Sequence, residues 1–239
     1  MNKLYIIKAG TTFPEVAEKY GDFDLWTINS MGISPDDAIV VDVQNNEPLP
    51  APQKCRGVVI TGSHAMVTDH LPWSDKLLKW IPKLVKEKVP YMGICYGHQL
   101  LAEAMDGRVG FHPGGKEIGT VDIVLSGESD KDPLFKTMPK RLPVHVTHSQ
   151  CIQRLPPGAV HLAFNDFESY HAFRLGSCAW GVQFHPEYRI DIIKEYIIQQ
   201  ADELKSSGRD IDKIMMTVRE TPEATKLMKR FMSFIKETL

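Results

Sequence analysis

The feature that most constrains the fold of this chain is a buried strand pattern that passes directly into a helix pattern at GICYG, residues 93–97. Residues 89–94 predict the strand, and residues 96–105 predict a helix that starts at once, with Gly107 placed for a left-handed cap. So tight a turn leaves no room for a Cβ atom at the flanking glycines, and the residue at its apex takes a strained backbone. Cys95 stands at that apex, where the positive end of the helix favours a thiolate.

Short β-branched runs alternate with helical patterns along the first half of the chain. The predicted strands are residues 4–7, 38–43 and 57–61. Residues 44–53 predict a loop, and residues 74–88 a helix that Pro82 should kink or break. The alternation is typical of an α/β fold with an open, mostly parallel sheet flanked by helices.

The second half of the chain indicates short antiparallel strands followed by helices. The strands are predicted at residues 118–125, 144–147, 160–164, 171–175 and 179–184. Helical spacing returns at Ile190, and a last helix should begin near Thr221-Pro222, which gives two amphipathic helices. We expect one domain over residues 1–189, with a small antiparallel sheet, and a helical extension over residues 190–239 packed on it. The extension is either structural or a docking surface for a partner.

Composition and charge exclude several classes of protein. The chain has 28 basic and 30 acidic residues and a net charge of −2, so it offers no basic field for nucleic acid or a membrane surface. No apolar run approaches the ~20 residues of a membrane span, and residues 1–13 contain too short a run for a signal peptide. The four cysteines show no paired spacing and the nine histidines form no zinc motif. We therefore expect a cytoplasmic protein with no metal and no cofactor.

A second segment supplies what a cysteine nucleophile needs, namely a base that later acts as an acid and a group that orients it. Along an extended segment, residues two apart project to the same side, so His185 and Glu187 face together and Pro186 stiffens the pair. Each of these residues also has a structural interpretation. Cys95 is then a small buried thiol, and His185 and Glu187 are then an ordinary pair on the surface. Together they predict a triad of Cys95, His185 and Glu187.

The remaining candidate residues give weaker evidence of a functional site. His145 and His148 are three residues apart on a predicted strand, so they point to opposite faces. The segment 114–116, Gly-Gly-Lys, lies outside any strand-to-helix connection and predicts a turn, with phosphate binding as the alternative. The other cysteines are interpreted as structural: Cys55, Cys151 and Cys178.

Two motifs resemble the signatures of the class I (triad) glutamine amidotransferases: GICYGHQ at 93–99 and GVQFHPE at 181–187, in the family's order. The segments at 116–119 (KEIG) and 155–159 (LPPGA) resemble the GMP-synthase-like branch. The resemblance covers roughly residues 4–188 and implies a flavodoxin-like arrangement of the sheet.

The resemblance also implies a mechanism. Cys95 attacks the side-chain amide carbon of L-glutamine, His185 protonates the departing ammonia and then activates water, and Glu187 orients His185. The backbone N–H groups of Ser63 and Tyr96 hold the oxyanion, an interaction worth ~2.7–4 kcal/mol for each donor.

The resemblance assigns the amino-acid end of the substrate to Gly62, Gln99 and the backbone around His148-Ser149. Two segments differ from the family pattern. Residues 62–64 read Gly-Ser-His where the family often has Gly-Gly-Pro, and residues 147–150 read Thr-His-Ser-Gln where GMP synthases have a Ser-His-Gly-Asp-like segment.

Several functions stay open at this point. A GMP synthase continues into a domain with a Ser-Gly-Gly-x-Asp-Ser loop, which this sequence lacks, so we expect an ammonia-accepting synthase on another chain or a free-standing hydrolase. The main prediction is a glutamine amidotransferase or glutaminase, with a γ-glutamyl peptidase acting on glutathione-like compounds as the alternative. A non-catalytic regulator, a different cysteine hydrolase of similar architecture and an oligomer are also compatible with the residues.

Overall fold

A computed structural model describes residues 2–238. The strands within these residues are β1 (Lys3–Lys8), β2 (Ala38–Asp42), β3 (Cys55–Ile60), β4 (Tyr91–Ile94), β5 (Arg108–Phe111), β6 (Glu117–Leu125), β7 (Arg141–His148), β8 (Gln150–Arg154), β9 (Val160–Phe164), β10 (Ala172–Leu175) and β11 (Ala179–Val182). The helices are α1 (Pro14–Tyr20), α2 (Phe23–Met31), α3 (Pro72–Lys86), α4 (Tyr96–Ala104), α5 (Ile190–Gln199), α6 (Ala201–Ser206), α7 (Ile211–Thr217) and α8 (Pro222–Glu237).

One nine-stranded sheet organises the molecule, with strand order β2-β1-β3-β4-β11-β10-β9-β6-β7. Pairing is parallel from β2 to β11 and antiparallel from β11 to β7. Strands β5 and β8 form a separate two-stranded antiparallel sheet. The predicted α/β class, with an open sheet flanked by helices, a small antiparallel sheet and C-terminal helices, is confirmed.

The parallel half is buried on both faces, as its near-continuous apolar strands require. Val58 and Ile60 share a hydrophobic cluster with the apolar side chains of α3 and α4. Val59, between them, belongs to the cluster on the other face, together with the apolar side of α8. This two-residue alternation fixes the register of β3, and with it the position of the loop that follows Ile60.

Two local expectations are corrected. Of the kink or break expected at Pro82, the break does not occur, because α3 continues through this residue. The left-handed residue after α4 is Asp106, with φ of 66°, rather than Gly107. Gly107 instead donates its N–H to the Ala102 carbonyl at 2.8 Å, and a Cβ atom there would lie 2.7 Å from that oxygen. Close approach, not backbone handedness, accounts for this glycine.

Residues 190–238 contain four helices rather than the two that were expected of the C-terminal segment. Helices α6 and α7 lie between the longer α5 and α8, and Gly208, with φ of +76°, separates them. The face of α8 that was predicted to be apolar is buried in the central cluster: Leu227, Met228, Phe231, Met232 and Ile235. None of the described helices combines the length and apolar character needed to cross a membrane.

Candidate active site

The turn between β4 and α4 has the strained geometry that its sequence predicts. Cys95 adopts φ of 49° and ψ of −95°, a conformation that L-residues rarely take. A Cβ atom at Gly93 would lie 2.3 Å from the Gly97 carbonyl oxygen, and one at Gly97 would lie 2.5 Å from the Ile60 carbonyl oxygen. Both flanking glycines are therefore required by backbone packing.

Cys95 is 6% exposed and lines a pocket. Its backbone N–H continues the sheet by donating to the Val182 carbonyl at 2.8 Å. Its Sγ atom lies 3.4 Å from Nε2 of Gln183 and 3.9 Å from the Thr147 carbonyl oxygen. Gln183 was not among the predicted site residues, although it lies inside the second motif.

His185 and Glu187 face each other, as predicted, just beyond the end of β11. Nδ1 of His185 lies 2.7 Å from Oε1 of Glu187, and the imidazole stacks on Tyr188 with ring centroids 4.0 Å apart. The backbone N–H of His185 donates to the His145 carbonyl at 2.8 Å. Nε2 of His185 has no hydrogen-bond partner within residues 2–238, and the ring lines the same pocket as Cys95.

The charge state of His185 follows from these neighbours. Burial disfavours the imidazolium, but the Glu187 carboxylate and the nearby Cys95 outweigh burial and raise the pKa of His185 to about 10. At neutral pH the ring therefore carries protons on both nitrogens.

The predicted oxyanion segment reaches the same pocket from the end of β3. A Cβ atom at Gly62 would lie 3.0 Å from Cε1 of His185, and Ser63 lines the pocket. The N–H of Tyr96 belongs to the first turn of α4, where backbone donors have no intrahelical acceptor. The segment is held by a hydrogen bond of 3.0 Å from the Ala9 N–H to Oγ1 of Thr61.

The remaining predicted residues converge on the turn between β7 and β8. Nε2 of Gln99 donates to the Gln150 carbonyl at 2.9 Å. His148 has both ring nitrogens occupied, Nε2 by Oε2 of Glu117 at 2.9 Å and Nδ1 by the Gln150 carbonyl at 3.0 Å. Ser149 lines the pocket at the turn itself. Contacts from this turn to a ligand therefore fall to its backbone rather than to the His148 ring.

Glu117 is a buried carboxylate that the sequence did not single out for chemistry. Burial opposes its charge, but the hydrogen bonds from His148 and from the amide of Asn165, the latter at 2.8 Å, outweigh burial and lower the pKa of Glu117. His171 stays neutral, because burial lowers its pKa to about 3. Within residues 2–238 no group of three or more His, Cys, Asp or Glu side chains is placed to hold a metal ion.

The pocket has a volume of about 350 Å³ and two contrasting walls. One wall is aromatic and consists of Phe13, Phe23, His64, Tyr188 and Tyr196. The other carries polar groups from the C-terminal helices, where Nζ of Lys116 lies 2.6 Å from both Oε1 of Gln200 and Oε2 of Glu203. No signal in the sequence marks this wall, because the spacing of α5 indicates a core-facing helix.

Comparisons with known proteins define the class. A family profile described as glutamine amidotransferase class-I matches residues 36–202. The chain belongs to the class I glutamine amidotransferase family. The predicted family and the expectation of an enzyme of this class are therefore confirmed.

The chain resembles members of two branches of this family. Gamma-glutamyl peptidase 4 of Arabidopsis thaliana is 27% identical over 96% of this chain and 92% of its own length. Gamma-glutamyl peptidase 5 of the same plant is 32% identical over a match that covers 69% of this chain and 66% of that protein. A glutamine-hydrolysing GMP synthase subunit from Haloarcula marismortui is 28% identical over 72% of this chain and 84% of its own length.

Solved structures share the fold. A glutamine amidotransferase from Thermotoga maritima superposes with a TM-score of 0.77 over 99% of both chains, at 21% identity. One from Methylobacillus flagellatus gives a TM-score of 0.76 over 100% of this chain and 96% of its own, at 24% identity. At such identities the likeness extends to the fold alone.

Proposed function

We propose that this chain hydrolyses γ-glutamyl amide bonds through a covalent thioester on Cys95, with L-glutamine as substrate and ammonia as the first product. One observation carries the proposal: Cys95 and His185 line the same pocket, Nε2 of His185 has no hydrogen-bond partner within residues 2–238, and Glu187 occupies Nδ1. The site therefore combines a nucleophile, a general acid–base and a carboxylate that orients the acid–base.

The steps follow from the roles given to these three residues. The Cys95 thiolate attacks the γ-amide carbon, and the oxyanion is held by the backbone N–H groups of Ser63 and Tyr96. The imidazolium of His185 gives its Nε2 proton to the departing amine, which leaves a γ-glutamyl thioester. The neutral ring then takes a proton from water, which attacks the thioester and releases glutamate and the thiolate.

Recognition of the substrate follows from the rest of the pocket. Gly62, Gln99 and the backbone of His148 and Ser149 hold the amino-acid end of the glutamyl group in this proposal. An enzyme that releases ammonia implies an acceptor, and we infer a synthase on another chain as the partner that consumes it. The match to the GMP synthase subunit of Haloarcula marismortui supports such an arrangement.

A γ-glutamyl peptidase is the second candidate, and one observation favours it. Gln199 at the end of α5, Gln200 between α5 and α6, and Glu203 of α6 line the pocket and offer polar contacts to a leaving group larger than ammonia. The match to gamma-glutamyl peptidase 4 extends over 96% of this chain. The attacked carbonyl is the same in both reactions, so the leaving amine alone distinguishes them.

The test compares leaving groups at one active site. Glutamate release is measured for L-glutamine and for γ-glutamyl dipeptides, with ammonia measured in parallel. A kcat/KM for glutamine equal to or above that of the dipeptides supports the glutaminase. A clear preference for dipeptides that is lost in Gln200→Ala supports the peptidase. Absence of turnover on both substrates, with or without an added synthase, would contradict both reactions.

A further inference from the structure

Gln183 is a fully buried polar residue that follows β11 and touches the nucleophile. Its backbone N–H donates to the His171 carbonyl at 2.8 Å, which extends the sheet by one residue. Its Nε2 atom lies 3.4 Å from the Cys95 sulphur. The mechanism above gives this amide no role.

The orientation of the Gln183 amide is fixed by its neighbour. Nε2 of Gln99 donates one hydrogen to the Gln150 carbonyl and the other to Oε1 of Gln183, each at 2.9 Å. Since an amide nitrogen has two hydrogens, both donors of Gln99 are used. A flipped Gln183 would set its NH₂ group against that of Gln99 and its oxygen against sulphur. The donor end of Gln183 must therefore face Cys95.

Gln99 is itself held in place by a buried polar network. The Gln150 carbonyl also accepts from Nδ1 of His148 at 3.0 Å, and Nε2 of His148 lies 2.9 Å from Glu117. Oε1 of Gln150 accepts from the Val67 N–H at 3.0 Å. Because each step has a defined donor and acceptor, the network leaves the Gln183 amide no alternative partner for its oxygen.

We propose that Gln183 is a positioning residue that donates an N–H to the Cys95 sulphur, stabilising the thiolate and aiming it into the pocket before attack. The proposal rests on Cys95 being the nucleophile. Hydrogen bonds to an anion are stronger than those to a neutral acceptor, so the interaction favours thiolate over thiol. It weakens once the sulphur becomes a neutral thioester and forms again as hydrolysis releases the thiolate.

Other groups also face the sulphur, and the test must separate them from Gln183. The titratable ones are His185, whose imidazolium favours the thiolate, and Tyr188, whose hydroxyl stays neutral because burial raises its pKa. The Thr147 carbonyl, at 3.9 Å, favours the thiol. All three are unchanged when Gln183 alone is replaced.

The experiment measures alkylation of Cys95 by iodoacetamide as a function of pH, quantified by mass spectrometry on the peptide that contains Cys95. Burial raises the pKa of Cys55 to about 11 and that of Cys151 to about 12, so these thiols react far more slowly. Gln183→Met keeps the length of the side chain and removes the donor. Gln183→Glu keeps the acceptor for Gln99 and sets an oxygen against sulphur.

Loss of a hydrogen bond to a charged group predicts an upward shift of the alkylation midpoint by about one to two pH units in Gln183→Met, and a larger shift in Gln183→Glu. At neutral pH, kcat/KM should fall about tenfold to a hundredfold in Gln183→Met. Ser129→Ala, which removes a buried hydroxyl bonded to the Ser126 carbonyl, is the control for altered packing, with an unchanged midpoint expected.

An unchanged midpoint in a folded Gln183→Glu or Gln183→Met variant would overturn the role of Gln183, whatever happens to kcat. Measurement of Cys95→Ala in parallel separates this failure from that of the proposed function. An inactive Cys95→Ala with an unshifted midpoint in the Gln183 variants removes only the present inference. An active Cys95→Ala removes both.

Discussion

Buried histidine–glutamate pairs occur in both halves of the sheet. In the parallel half, Nδ1 of His185 lies 2.7 Å from Glu187, and Nε2 has no partner within the described part of the chain. In the antiparallel half, Nε2 of His148 lies 2.9 Å from Glu117, and Nδ1 is bonded to a backbone carbonyl. Both pairs are buried beside the same pocket, so burial and pairing alone do not distinguish them.

The difference lies in what the second ring nitrogen contacts. A histidine with one nitrogen free can give and take a proton, whereas one with both nitrogens engaged by acceptors has no site left for a substrate proton. We therefore expect the His185 pair to carry the chemistry. The His148 pair should fix the turn between β7 and β8 and, through Gln150, the amides behind Cys95.

Replacing the two histidines gives the largest expected contrast. His185→Asn should lower kcat by on the order of 10⁴- to 10⁶-fold, because members of a catalytic triad act as a unit. His148→Asn should cost mainly stability, with a far smaller loss of kcat in the folded fraction. Steady-state glutamate release, normalised to folded protein by circular dichroism, checks both. Equal losses of kcat in the two variants would erase the distinction drawn here.

Replacing the two carboxylates is expected to give a smaller contrast in the same direction. Glu187→Gln should lower kcat by about 10²- to 10⁴-fold, since it removes the group that orients and charges His185. Glu117→Gln leaves the Cys95–His185 pair in place and should instead lower the free energy of unfolding. Urea titrations and kinetics on both variants test the assignment. A Glu187→Gln variant as inactive as Cys95→Ala would contradict a purely orienting role.

The dependence of stability on pH distinguishes histidines by their charge. His185, with a pKa raised to about 10, contributes stability that is complete below its unfolded pKa of about 6.5 and is lost as the pH rises to 10. His98 and His171, with pKa values lowered to about 3, and His145, lowered to about 4, act oppositely. They contribute stability above pH 6.5 that falls away in acid, by at most about 1.4 kcal/mol per pH unit for each group.

The titration of these four histidines predicts that the free energy of unfolding is greatest near pH 6.5 and declines at higher and at lower pH. The decline between about pH 6.5 and pH 8 should be much smaller in Glu187→Gln, because the carboxylate that contributes most to the raised pKa of His185 is gone. Urea midpoints between pH 4 and pH 8 check this expectation, since buried thiols such as Cys55, whose pKa is raised to about 11, add their own decline at higher pH. An equal decline over this range in wild type and Glu187→Gln would show that His185 is not charged by that carboxylate.

The smallest expected effect comes from the contact between the oxyanion segment and His185. A Cβ atom at Gly62 would lie 3.0 Å from the His185 ring, so Gly62→Ala should shift the imidazole by a few tenths of an ångström and lower kcat about tenfold. Gly127→Ala is the matched control, since a Cβ atom there meets nothing within 4 Å. Equal kinetics in the two variants would place the segment farther from the reaction than we infer.

Local sequence was sufficient for the turn at Cys95, which follows from glycines two residues away. Alternation along an extended segment predicts that His185 and Glu187 face together, and they do, but residues 186–187 form a turn in which the Tyr188 N–H donates to the His185 carbonyl at 3.3 Å. Asp106 took the left-handed position predicted for Gly107, because aspartate tolerates that conformation and the glycine was needed for close approach.

Contacts between distant residues were beyond the sequence. Gln183 lies 88 residues from Cys95, and Glu117 lies 31 residues from His148, so no periodicity links either pair. Helix α2 was not predicted either. It buries residues around most of its circumference, including Thr27 and Ser30, and so shows no apolar stripe. The division at residue 190 stays a prediction, although α5 and α6 line the pocket.

The most direct test of the account is to trap the covalent intermediate. Wild-type protein, Cys95→Ala and Cys178→Ala are mixed with L-glutamine or a γ-glutamyl dipeptide, quenched in acid and analysed by peptide mass spectrometry. If Cys95 is the nucleophile, a γ-glutamyl group appears on the peptide that contains Cys95 in wild type and in Cys178→Ala, and Cys95→Ala shows neither adduct nor turnover. Turnover that persists in Cys95→Ala, or an adduct on any other residue, would contradict this role of Cys95.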